Sequence, residues 1–130
     1  MHGQGSYEWT DGSKYTGGFE LGQQNGEGTL ERLDRSTYKG QFRSGLFHGI
    51  GWFNCIGEEW QYEGEWKNDR RHGLGVFWTS DGTILFGQWE DGNLSVEMDE
   101  EQFMKVYGRP LVNQIPGVKN AARIAETAIE

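Results

Sequence analysis

Three histidines, side chains that often hold transition metals, precede Gly-x-Gly pairs at regular intervals along the chain. They are His2, His48 and His72. The ligands of one zinc ion must converge on it at about 2 Å. Residues on every second strand of a sheet are instead roughly 9–10 Å apart. This spacing favours a role in turns, and we predict no metal site and no cofactor.

Paired carboxylates could supply acid–base catalysis. They occur at Glu58-Glu59, Glu63/Glu65 and Asp99-Glu100-Glu101. The two carboxylates of a glycosidase must face each other across the substrate. These neighbours instead lie along predicted strands or in the first turn of a predicted helix, where acidic side chains interact favourably with the helix dipole. We interpret them as structural.

The remaining candidates for chemistry lack the context that they require. Cys55, the single cysteine, has no recognisable His/Asn partner arrangement, and the alternation around it predicts a small, buried apolar side chain. The Gly-x-Gly pairs precede more strand-forming sequence rather than a helix, so they do not match a phosphate-binding loop. We therefore predict that the protein is not an enzyme.

Two sequence markers recur with one period of 23 or 24 residues, which indicates an array of repeats. The first marker is aromatic-x-Gly-x-aromatic, and its segments begin at Tyr15, Tyr38, Tyr62 and, with leucine in first place, Leu85. The second marker is Gly-x-Gly, at Gly3/Gly5, Gly26/Gly28, Gly49/Gly51 and Gly73/Gly75. The predicted array spans residues 1–94, with a half repeat at 2–14, full repeats at 15–37, 38–61 and 62–84, and a half repeat at 85–94.

Each repeat is predicted to form a β-hairpin. In the repeat that starts at Tyr62, the alternate positions Tyr62, Gly64 and Trp66 share one face of a strand. A polar turn follows, and residues 73–78 form the second strand. Glycine in these strands leaves room for rings from the neighbouring strand to lie flat across it.

Alternation predicts two different faces for the sheet. The face that carries rings and glycines is a candidate partner site, which we call the ring-lined groove; its residues are Tyr15, Phe19, Tyr38, Phe42, Phe53, Tyr62, Trp66, Phe77 and Trp89. The opposite face is polar in the earlier repeats and apolar in the later ones, and exposed apolar patches commonly mark interaction sites. This apolar back is the alternative partner site; its residues are Ile50, Trp52, Leu74, Val76 and Trp78, with Phe47 added from a predicted turn.

The predicted C-terminal extension, residues 95–130, contains two helical segments. Asp99 is the expected N-cap of the first helix, which Gly108 and Pro110 are expected to end. Residues 118–129 have apolar and small side chains at helical spacing, which predicts a second, amphipathic helix. So short a helix needs a surface on which to dock. We consider three alternatives for this helix: it docks in the ring-lined groove of its own chain, it docks on another copy or another protein, or it continues past residue 130 in a longer protein. A further alternative is that the tail folds over the apolar back.

The repeats resemble MORN (membrane occupation and recognition nexus) repeats, because HGQG, NGEG, HGIG and HGLG follow the YxGxF/W pattern at this period. The resemblance covers about residues 2–94, with departures at Arg35-Ser36, Ile56-Gly57 and Leu85-Phe86. It implies a mainly β fold: hairpins stacked into one elongated, single-layer, twisted antiparallel sheet, here with a C-terminal helical tail.

The resemblance also implies a non-catalytic protein–protein interaction scaffold that binds a partner helix or extended segment in a cytoskeletal, ciliary or membrane-junction assembly. The alternatives are a phosphoinositide- or membrane-binding module and a regulatory part of a larger enzyme. With 20 acidic and 12 basic residues the net charge is −8, which argues against nucleic acid and disfavours direct membrane binding. No signal-peptide pattern or membrane-length apolar run is present, so we expect a cytoplasmic protein. Met1 and Glu130 fit either natural ends or a longer protein.

Overall fold

A computed structural model of the chain describes residues 3–111, which form one antiparallel sheet of nine strands followed by one short helix. The elements are β1 (Gly3–Glu8), β2 (Lys14–Glu20), β3 (Gln23–Glu31), β4 (Thr37–Arg43), β5 (Leu46–Cys55), β6 (Trp60–Lys67), β7 (Arg70–Thr79), β8 (Ile84–Glu90), β9 (Asn93–Met98) and α1 (Glu100–Tyr107). Each strand pairs with the next one in the chain. The predicted fold class is confirmed, whereas His2 and the predicted helix at 118–129 lie outside the described residues.

Two alternating kinds of turn connect the strands. Within a repeat the turn has two residues with positive φ, as at Leu21 (53°) and Gly22 (81°), and such turns match the twist of a hairpin. In three of the four turns between repeats an aspartate accepts a hydrogen bond from the amide two residues on, as Asp34 does from Ser36 at 2.8 Å. Arg35 keeps this second turn despite replacing the usual glycine, because it adopts the left-handed conformation with φ 72°. The turn at residues 56–59 has no aspartate.

A buried tyrosine holds each full repeat together. The rings of Tyr15, Tyr38 and Tyr62 are fully buried. Each hydroxyl donates a hydrogen bond to the carbonyl three residues on, as Tyr15 does to Gly18 O at 2.7 Å. The ring lies across a glycine of the next strand, so that a Cβ atom added to Gly75 would collide with the Tyr62 hydroxyl. This contact explains why Tyr-x-Gly and Gly-x-Gly recur together.

The helix α1 covers the opposite face of the sheet at its C-terminal end. Phe103, Met104 and Tyr107 of α1 pack against the buried side chains of β7 and β8. The helix begins at a capping box, in which the Asp99 carboxylate accepts a hydrogen bond from Gln102 N at 2.7 Å. It ends at Gly108, whose φ is 69°. The predicted helix and its two boundary residues are confirmed.

Candidate partner-binding site

The ring-lined groove is packed with its own side chains. Seven of its nine residues are at most 6% exposed, and Phe19 and Phe77 are half-buried. The ring centroids of Tyr62 and Trp89 lie 5.5 Å apart in an edge-to-face contact, and the Trp66 indole donates to Gly51 O at 3.0 Å. This face is therefore a hydrophobic core made by one layer of rings.

Phe47 belongs to the ring-lined face, so its prediction as part of the apolar back is wrong. It lies in β5 rather than in a turn, and it is 4% exposed. Its ring stacks on Tyr38 with centroids 3.8 Å apart. The turn ends at Gly45, so alternation along β5 places Phe47 on the face of Phe53. The even spacing from Phe47 to Phe53 was the signal in the sequence.

Arginine side chains complete the ring-lined face, which the sequence patterns did not predict. The Arg71 guanidinium lies 5.2 Å from the ring centroids of Trp60, Phe77 and Trp89, and it donates to Gly92 O at 2.7 Å. Burial lowers the pKa of Arg71. Such contacts place the cation over the electron-rich ring faces. Arg71 therefore acts as a packing residue of the third full repeat.

The predicted apolar back is divided by α1 into a covered and an open part. Val76 and Trp78 are 0% and 5% exposed and lie in one cluster with α1, whereas Ile50, Trp52 and Leu74 are only partly buried beside it. Residues 100–111 thus cover part of the apolar back. This is one of the alternatives that the sequence left open.

A buried carboxylate lies at the edge of the covered part. Glu63 in β6 is 1% exposed. Its Cα partners in the neighbouring strands are Trp52 and Val76, so it belongs to the face that α1 covers. Burial raises the pKa of Tyr107 in α1, and the negative charge of Glu63 raises it further. The contact between α1 and the sheet therefore contains a polar pair within an apolar cluster.

The open part of the back continues from α1 towards β1 as a trough. It encloses a volume of about 450 Å³. We call this surface the open trough, and its lining residues include Thr16, Glu27, Lys39, Trp52, Glu63 and Arg109. The Trp52 indole donates to Gln61 Oε1 at 2.8 Å, which fixes the ring at the floor. The lining combines one large aromatic surface with hydroxyls and charges of both signs.

The polar groups that first suggested catalysis do not converge. No group of three or more His, Cys, Asp or Glu side chains within residues 3–111 could hold a metal ion. Glu65 accepts a hydrogen bond from Leu74 N at 2.5 Å, and Cys55 Sγ lies 3.9 Å from Glu58 Oε1. No helix in this part of the chain has the length and apolarity to span a membrane.

Comparison with known proteins gives one family. A family model described as MORN repeat matches residues 1–14, 15–35, 38–55 and 62–84, which together are more than half of the chain. The strands β8 and β9 continue the sheet past the last matched residue. No curated protein matches the chain.

Proposed function

Because the chain belongs to the MORN repeat family, we propose that it is a non-catalytic scaffold that binds a helix or extended segment of a partner protein in the open trough. MORN repeats generally serve as protein- or membrane-interaction modules, and the family is non-enzymatic.

The observation that carries the proposal is the docking of α1 on the same face. Phe103, Met104 and Tyr107 show that this face accepts an amphipathic helix, with aromatic and aliphatic side chains in contact with Val76 and Trp78. The open trough continues that face along the neighbouring strands, with the half-buried Trp52 available for contact. Helix-in-groove recognition places apolar anchors of the partner in such a surface.

The test compares two threonine substitutions that are both exposed. Thr16 lines the open trough and Thr10 lies in the first turn, away from it. Proteins captured from cells with the wild-type chain are purified and their affinity measured by calorimetry. We expect Thr16→Arg to weaken binding at least tenfold and Thr10→Arg to leave it unchanged. A partner that binds both variants equally uses another surface, which contradicts the proposal.

Residues 118–129 are a second proposed occupant of the open trough, in cis or from another copy. Arg109 lines the trough and Leu111 is buried against α1, so the chain leaves the described region beside this surface. If the tail competes with a partner, a chain that ends at residue 111 binds that partner more tightly than the full chain. Equal affinities contradict the competition, whereas light scattering of the two chains distinguishes cis from trans docking.

The cellular setting that we propose is a cytoskeletal, ciliary or membrane-junction assembly in the cytoplasm, and this rests on family membership. Direct lipid binding is the alternative, and the net charge of −8 opposes it. Sedimentation with phosphoinositide-containing vesicles distinguishes the two. We expect no salt-sensitive binding, and strong binding would replace the protein partner by a membrane. Regulation of a larger enzyme remains a proposal that the full gene product would test.

A further inference from the structure

The three full repeats differ at one position of their ring-lined face. This position is the ninth residue after the buried tyrosine, and it holds Gln24, Phe47 and Arg71 in turn. The Cα partner of each is the aromatic residue that ends the Tyr-x-Gly-x-aromatic pattern, so all three lie on that face. We propose that the hollow beside Gln24 binds the guanidinium group of an arginine side chain in a partner protein.

The third repeat fills this position with a cation. The Arg71 guanidinium lies 5.2 Å from the ring centroids of Trp60, Phe77 and Trp89. The electron-rich faces of such rings attract a positive charge. The ring-lined face of this protein therefore accommodates a guanidinium group.

The second repeat fills the position with a ring and places a guanidinium over it. Phe47 is 4% exposed. The Arg32 guanidinium lies 5.4 Å from the centroid of its ring and 5.5 Å from that of Phe53. The space that remains open there is about 190 Å³. Two of the three repeats thus place an arginine of their own chain against the rings.

The first repeat leaves the equivalent space open. Gln24 and Leu30 stand where the second repeat has Phe47 and Phe53. The hollow encloses about 470 Å³, more than twice the open space of the second repeat. We call it the first-repeat hollow, and its lining residues include Trp9, Asp11, Gln24, Leu30, Arg32 and Asp34.

Trp9 supplies the aromatic surface of the first-repeat hollow. It is equivalent to Arg32, because the amide of each donates to the carbonyl four residues on, Ser13 O and Ser36 O. The Trp9 ring is half-buried, and no lysine or arginine within residues 3–111 lies over it. The first repeat therefore presents a ring where the second repeat supplies a guanidinium.

Two carboxylates make the first-repeat hollow suitable for a cation. Asp11 and Asp34 line it and are exposed. Hydrogen bonds from the backbone amides of Ser13 and Ser36 lower the pKa of these two carboxyl groups, so both are ionised at neutral pH. Arg32 offsets one of the two charges, which leaves one negative charge for a partner to neutralise.

A guanidinium group fits these features better than an ammonium group does. It is planar, so it stacks on an indole, and its N–H donors can bind a carboxylate at the same time. The net charge of −8 also attracts cationic segments to the chain. The first-repeat hollow lies on the face opposite the open trough, so this inference does not depend on the proposed function.

The test titrates the full chain with a capped peptide, Gly-Gly-Arg-Gly-Gly, and follows the indole N–H signals by NMR. The matched control peptide has citrulline in place of arginine, which keeps the shape and removes the charge. We expect a saturable shift of the Trp9 signal, which is identified by its loss in Trp9→Phe. The citrulline peptide should bind about tenfold more weakly.

Two variants of neighbouring residues locate the site. Gln24→Arg introduces the residue that the third repeat has at this position, so it should fill the first-repeat hollow and weaken peptide binding about tenfold. Gln23→Arg adds the same charge on the opposite side of the strand, at an exposed position, and should leave binding unchanged.

Three results would each overturn the proposal. They are the absence of a saturable shift at Trp9, equal affinity for the arginine and citrulline peptides, and equal effects of Gln24→Arg and Gln23→Arg. Thr16→Arg in the open trough should not affect the peptide, so failure here is distinguishable from failure of the proposed function.

Discussion

At the scale of single residues, the packing of each tyrosine ring across a glycine of the next strand stabilises the fold. A tyrosine ring that covers a glycine buries a large apolar area without a second layer of structure. Its hydroxyl group is also hydrogen-bonded, because it donates to a backbone carbonyl. The tryptophans then close the outside of the ring, as Trp66 does with Tyr38 and Tyr62 at centroid distances of 5.7 and 5.0 Å. Each repeat is therefore bound to the next by rings as well as by backbone hydrogen bonds.

Trp66→Ala should lower the free energy of unfolding by about 3–5 kcal/mol, the usual cost of removing a buried Trp. Trp66 is 6% exposed, and the substitution also leaves Gly51 O without its indole donor. Urea denaturation measures the change. Leu33→Ala is the control, because Leu33 is 69% exposed and should change stability by less than about 0.5 kcal/mol. An unchanged midpoint for Trp66→Ala would contradict the burial of this ring.

Raising the pH above 10 should destabilise the protein. Burial raises the pKa of Tyr38 and Tyr62 above the ordinary value of 10.0. Above that pH the unfolded chain loses these protons while the folded chain retains them, so stability falls as pH rises. Each tyrosine contributes a slope that approaches about 1.4 kcal/mol per pH unit.

Urea denaturation between pH 9 and about pH 12 measures this slope. Tyr62→Phe should make it shallower by one tyrosine's contribution, because phenylalanine has no ionisable proton. Equal slopes for Tyr62→Phe and the wild-type chain would mean that the Tyr62 hydroxyl is accessible to solvent in the folded protein.

At the scale of elements, α1 depends on its capping box and on the sheet beneath it. The helix has only eight residues, too few to be stable alone in water. Asp99→Ala removes the cap and should cost about 1 kcal/mol, with a lower melting temperature. Asp99→Ser retains an N-cap oxygen and should recover most of the loss. If both variants melt alike, the hydrogen bond to Gln102 N does not stabilise α1.

At the scale of the whole molecule, the sheet has two different ends. The C-terminal strands are covered on one face by α1, whereas β1 at the other end pairs with one strand among residues 3–111 and has mostly exposed side chains. Repeat arrays are stabilised by contacts between neighbouring units, so a strand with fewer contacts opens first. Amides of β1 should therefore exchange faster than those of β6 and β7, as measured by mass spectrometry. Uniform exchange from β1 to β7 would indicate one cooperative unit instead.

Because the sequence is repetitive, the fold could be predicted from it. The period of 23 or 24 residues, the pairing of Tyr-x-Gly with Gly-x-Gly and the helix signals from Asp99 to Gly108 predicted an antiparallel sheet and its helix. These are local patterns, set by alternation, turn chemistry and capping, and each requires only neighbouring residues. Phe47 was misplaced because the turn was predicted to last until the Gly-x-Gly pair, whereas β5 already begins at Leu46.

Only the tertiary structure decided how the side chains of each face are packed. Alternation showed that both faces carry aromatic or apolar side chains, but it did not show that the rings fill their own face or that residues 100–111 cover Val76 and Trp78. Those facts depend on where α1 crosses the sheet and on how rings from separate repeats meet, and no periodic pattern encodes them. For this reason we propose the open trough, rather than the ring-lined groove, as the partner site.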